Sequence, residues 1–177
     1  MEKPASSEAG FFYARAVCYT RAFSLLAMKP FTLLFAALPA LASAQTPPPV
    51  IDPASLPVIT AAPGVTLREL SGRTAPAGAR SDKVSVALFH LEPGKASPWS
   101  HNKEGEESFF VLNGTGEIWT DGHVQTIGPG SYILIQPSTV RSIRASKGVS
   151  LDFYAITSPA WSKDDDVLTT APPGAPK

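Results

Sequence analysis

The sequence predicts an all-β protein with one domain, and three features carry that reading. Short stretches alternate apolar and polar residues, 18 prolines and 13 glycines punctuate them, and no long run repeats with a helical period. Alternation matters because successive side chains on a strand point to opposite faces, so a half-buried sheet needs one apolar face. The chain has 177 residues, with 15 basic and 15 acidic side chains. That is enough for one core, and the balanced charge gives nucleic acid or an anionic membrane surface no handhold.

Residues 65–70 (VTLREL) alternate and form the first expected strand. After a turn-rich gap, residues 83–91 place Val84, Val86, Leu88 and His90 on one face and Ser85, Ala87, Phe89 and Leu91 on the other. Residues 107–112 set Glu107, Phe109 and Val111 opposite Ser108, Phe110 and Leu112. Asn113-Gly114 is a turn signal, and residues 116–120 lead to Asp121-Gly122, a pair suited to a two-residue hairpin. Residues 123–127, 132–135, 140–144 and 149–156 complete the set. Eight or more short strands with such punctuation predict a sandwich or a closed double-sheet barrel.

The termini read differently. Residues 28–44 (MKPFTLLFAALPALASA) have the layout of a signal peptide: Lys29, an apolar stretch, then small residues at 42–44. Cleavage near Ala44 would make Gln45 the first mature residue and remove Cys18, the single cysteine. The expected location is therefore periplasmic or secreted, without disulfides and with no membrane attachment after cleavage. Met28 already opens this segment, so residues 1–27 read as an upstream extension or a misplaced start. Residues 45–64 form a proline-rich leader, an extended segment that could lie along the domain as an edge. The domain itself is expected over residues 65–161, and residues 162–177, with Asp164, Asp165 and Asp166 followed by APPGAPK, read as a flexible tail.

Chemistry concentrates between Gly94 and Gly114 (GKASPWSHNKEGEESFFVLNG), where His101, Glu104, Glu106 and Glu107 lie within seven residues. These residues resemble the first motif of the cupin family, a small jelly-roll barrel also described as a double-stranded β-helix. Gly94 opens it, and Glu107 is followed by six residues before Gly114. Residues 128–143 (GPGSYILIQPSTVRSI) resemble the second motif. The resemblance covers about residues 65–161.

In metal-binding cupins, two histidines and the glutamate of the first motif and a histidine of the second hold one metal. Counted from Gly94, the histidine positions hold Ser100 and Asn102; under the shorter spacing they hold His101 and Lys103. The second-motif position holds Arg141. Serine and asparagine are weak ligands for Fe, Mn, Zn or Cu, and arginine is a fixed cation without an acceptor. The residues thus favour no bound metal. If Arg141 points inward it can pair with Glu107 where the metal would sit, and it could offer a donor fork to an anion. If it points outward, it is a rim residue.

Two functional classes follow. One is a binding module holding a small polar or anionic molecule through Glu107, Arg141, His101 and Trp99. The other is a metal-dependent enzyme of the dioxygenase or isomerase kind, with His101 and Glu107 as surviving ligands of Fe, Mn, Zn or Cu. The resemblance also implies a homodimer. Trp99 either lines the barrel mouth or packs on a strand. His90 reads as a satisfied core histidine, His123, Glu104 and Glu106 as solvated. Tyr132, Asp152 and Tyr154 are candidates for pocket polarity. Serine-hydrolase elbows, phosphate-cradling glycine loops and Cys-x-x-Cys pairs do not occur in the sequence.

Overall fold

The computed structural model describes residues 47–175. The expected signal peptide and upstream extension lie outside the described residues. Apart from one short 3-10 turn, Pro53–Ser55, every regular element described is a strand. They are β1 (Ile59–Ala62), β2 (Val65–Ser71), β3 (Ser85–Leu91), β4 (Ser100–Asn102), β5 (Glu106–Asn113) and β6 (Gly116–Thr120). The remainder are β7 (His123–Ile127), β8 (Tyr132–Ile135), β9 (Arg141–Ala145), β10 (Leu151–Ser158) and β11 (Asp166–Leu168).

Two antiparallel sheets form, one in the order β1-β2-β3-β10-β5-β8 and the other β11-β4-β9-β6-β7. Strands distant in sequence are neighbours in both, as a jelly roll requires. The alternation in β5 and β10 sets the inward residues: Glu107, Phe109 and Val111 on β5, and Leu151, Phe153, Ala155 and Thr157 on β10, are all buried. Phe153 and Phe109 meet with ring centroids 4.9 Å apart, and Phe89 stacks on Phe153 at 5.2 Å. Full burial of a side chain such as Phe153 contributes about 2–3 kcal/mol.

Turn chemistry fixes the register. Asp121 and Gly122 have φ of 43° and 92°, the paired positive values of a tight hairpin between β6 and β7. Gly114 has φ of 80°, and a Cβ there would lie 1.8 Å from the Ser150 carbonyl oxygen, so a side chain has neither the conformation nor the room.

Three strands lie beyond those read from alternation. β1, from the proline-rich leader, pairs with β2 at the edge of the larger sheet. β4, three residues long, sits in the charged stretch. β11 comes from the segment expected to be a flexible tail, and it pairs with β4 in the register Asp166↔Asn102, Val167↔His101 and Leu168↔Ser100. The aspartate run has a structural use here. Asp165 accepts from the backbone N–H groups of Glu104 (2.8 Å) and Gly105 (3.1 Å), tying down the charged loop.

The inward face changes character along the barrel. On β3 the inward residues run Leu91, Phe89, Ala87, Ser85, and on β10 they run Leu151, Phe153, Ala155, Thr157. Ala87 lies opposite Ala155, and Ser85 opposite Thr157. On β9 they run Ala145, Ile143, Arg141. Large apolar residues fill one end, where Val65, Leu91, Val111, Ile118 and Leu151 are fully buried. At the other end small and polar side chains leave space, and a cavity results.

Candidate functional site

The cavity has a volume of about 320 Å³. Phe89, Phe109, Phe153 and Trp161 contribute aromatic wall, Ile143 and Leu168 aliphatic wall, and Ser100, Glu107, Arg141 and Asp166 a polar end. Trp161 is 40 % exposed at its rim.

The polar end is organised by Arg141. It is the first residue of β9, pairs opposite Ser100 of β4 and is 6 % exposed. Nε and Nη2 both lie 2.5 Å from Glu107 Oε2. Nη1 donates to Ser100 Oγ at 2.6 Å, and Nη2 to Asn102 Oδ1 at 3.3 Å. Asp166 Oδ1 stands 3.7 Å from Nη1. The guanidinium therefore has two carboxylates and two neutral acceptors around it. Burial of a lone cation is costly, and this degree of pairing is what makes it tolerable.

Glu107 is 7 % exposed. Burial pushes its carboxyl above the ordinary value of 4.5, and Asp166 adds to that, while Arg141 opposes it through charge and hydrogen bonding. Within the described residues Oε1 of Glu107 makes no hydrogen bond, since Arg141 uses Oε2. Asp166 Oδ2 accepts from the Trp161 indole N–H at 3.2 Å, and its Oδ1 has no hydrogen-bond partner.

The structure thus brings Glu107 and Arg141 together and leaves His101 and Trp99 out of the cavity. His101 is the middle residue of β4, so alternation turns it to the face opposite Ser100 and Asn102. Its Nδ1 is buried without a hydrogen-bond partner. Trp99 packs edge-on against Trp119, with ring centroids 4.9 Å apart, beside Val124 and Ser142 rather than in the cavity. His90, read from its apolar face as a core histidine, is exposed and bonds Asp152 Oδ1 through Nδ1 at 2.7 Å. The register explains the difference: the inward face of β3 is the one carrying Ser85, Ala87 and Phe89. Tyr132, Asp152 and Tyr154 do not line the cavity either.

Trp161 and Asp166 are among the cavity residues that the sequence did not point to, and both follow the last obvious strand. Asp166, Val167 and Leu168 show no polar–apolar alternation, and three residues are too few to distinguish a strand from a tail.

Over residues 87–157 the chain matches the cupin domain family model. Solved structures with the same fold include the polyketide cyclase RemF from Streptomyces resistomycificus, with a TM-score of 0.57 and 16 % identity over 71 % of this chain and 88 % of that one. The DMSP lyase DddQ from Ruegeria pomeroyi DSS-3 aligns with a TM-score of 0.56 and 19 % identity, over 66 % of this chain and 62 % of that one. PAC13 from Streptomyces, solved with uridine, gives 0.55 and 15 % over 67 % and 88 %. No curated protein matches the sequence. The two antiparallel sheets and the family match define the class of the domain: residues 87–157 match the cupin family, within a barrel of cupin fold.

In metal-binding members of that family the residues at Ser100, Asn102, Glu107 and Arg141 would hold the metal, and here they do not fit one. The guanidinium itself lies among the other three and donates to each of them. It stays protonated, lacks an acceptor and repels a divalent ion. Glu107 is the one strong ligand type of the four. Among the described residues there is no group of three or more His, Cys, Asp or Glu that could hold a metal ion.

Proposed function

We propose that this protein is a small-molecule-binding cupin whose barrel works without a tightly bound metal. The observation that carries the reading is the Arg141 guanidinium, bonded to Ser100, Asn102 and Glu107 at the position a metal would take. A permanent cation there braces the barrel as a metal would, at no cost in metal supply. The adjoining cavity, largely apolar with a few polar groups at one end, has the form of a small-ligand site. PAC13, solved with uridine, shows a neutral molecule with hydroxyl donors in a protein of similar fold. We place the barrel outside the cytoplasm, on the strength of residues 28–44 in the sequence.

A catalytic form of the same reading rests on Glu107. A buried carboxyl raised above its usual range and facing a cavity is suited to proton transfer, and that chemistry needs no metal. The metal-dependent alternative has less support, because His101 faces away from Glu107's side of β4.

Elemental analysis of protein purified without an affinity tag tests the reading. Expected is a content of Fe, Mn, Zn and Cu far below one equivalent, unchanged in Glu107→Ala. Near-stoichiometric metal that disappears in Glu107→Ala overturns it.

A further inference from the structure

The polar end of the cavity is commonly the part of a site that selects a ligand's head group, and here its unused hydrogen-bonding capacity is all of one kind. Among the described residues Arg141 is the one cation lining the cavity, and its donors are directed at Glu107, Ser100 and Asn102, with Asp166 beyond. Among the described residues the acceptors left without a hydrogen bond are Glu107 Oε1 and Asp166 Oδ1, the latter buried and 3.7 Å from Arg141 Nη1. Glu69 also lines the cavity, and its Oε2 accepts from the Thr74 hydroxyl. Three carboxyl groups therefore face the space against one guanidinium that they already neutralise. An incoming carboxylate would have to displace Glu107 or Ser100 from Arg141 and lie against like charge. A hydroxyl, amide or ammonium group meets an acceptor in Glu107 Oε1 and favourable negative charge in Asp166.

The walls set the rest of the ligand. A cavity of 150 Å³ lined by aliphatic and aromatic side chains holds benzene, and this one is about twice that, at about 320 Å³. Phe89, Phe109, Phe153 and Trp161 offer aromatic surface to a flat body of one or two fused rings.

Resting on the metal-free reading above, we infer that the barrel takes a small molecule with a flat apolar body and a hydrogen-bond-donating head, neutral or cationic, and excludes carboxylates of the same shape. Asp166, brought in by the C-terminal strand β11, is then a specificity-determining residue, and Trp161 positions it through the indole N–H.

The test uses three probes with one skeleton, tryptamine, tryptophol and indole-3-acetate, titrated calorimetrically into the full chain whose metal content has been measured. Expected is binding of tryptamine and tryptophol at least about tenfold tighter than indole-3-acetate. Asp166→Asn should cut the preference for tryptamine severalfold, with the circular dichroism spectrum unchanged. Indole-3-acetate binding as well as or better than the other two, or none of the three binding below about 1 mM, overturns the inference; with metal absent, the metal-free reading survives that result. Stoichiometric metal in the same sample overturns the earlier reading instead.

Discussion

Replacing Arg141 by methionine should destabilise the barrel by about 3 kcal/mol at neutral pH. Methionine keeps the length and apolar stem of the side chain, so the loss is chiefly electrostatic. It leaves Glu107, 7 % exposed, without the cation that lies 2.5 Å from its Oε2, and it strips a donor from Ser100 and from Asn102. For a domain of this size the penalty corresponds to a fall in melting temperature of about 10 °C.

Its pH dependence identifies the cause. In the parent, burial already holds the Glu107 carboxyl above its ordinary value of 4.5. A raised acid contributes stability that is fully present below the unfolded value and lost as pH rises through the folded one. Arg141 lowers that folded value, so removing it moves the value further up. The variant therefore goes on losing stability over a pH interval in which the parent has stopped, at about 1.4 kcal/mol per pH unit. The penalty should be small near pH 4 and grow toward neutrality. The double variant Glu107→Leu/Arg141→Met should recover at least about 2 kcal/mol, because the uncompensated charge is gone. Urea melts at several pH values measure all three proteins. A penalty under about 0.5 kcal/mol at pH 7, or one that shrinks as pH rises, refutes the reasoning.

Two further expectations come from the same framework. Gly114→Ala should cost about 3 kcal/mol or more, since the Cβ would stand 1.8 Å from a backbone oxygen, whereas Gly94→Ala, with φ of 73° and open space, should cost about 1 kcal/mol; equal penalties in thermal melts would count against the close approach of Gly114 to Ser150. The triple variant Ser100→His/Asn102→His/Arg141→His presents three imidazoles beside Glu107 and should bind about one equivalent of Zn; a folded variant that binds none would show that these side chains do not converge on a metal-sized position.

The sequence by itself determined the fold, because turn residues and period-two alternation are local. Asp121-Gly122, Asn113-Gly114 and the alternation of Glu107, Phe109 and Val111 can each be read within a few residues. It also placed Arg141 where metal-binding cupins carry a histidine, and arginine has no acceptor to offer a metal in any register. Whether Arg141 met Glu107 was open, because a one-residue slip in β9 would have turned it to the other side of the sheet. The tertiary structure decided that, and it decided the cavity as well. The space exists because Ala87 and Ser85 on one strand fall opposite Ala155 and Thr157 on another, 68 and 72 residues away in sequence. No local pattern records that pairing. The same holds for His101 and Asp166: three residues of β4 turn the first away, and three residues of β11 bring the second in. Strands so short gain their register from the neighbours they pair with, and those neighbours are assembled only when the barrel closes.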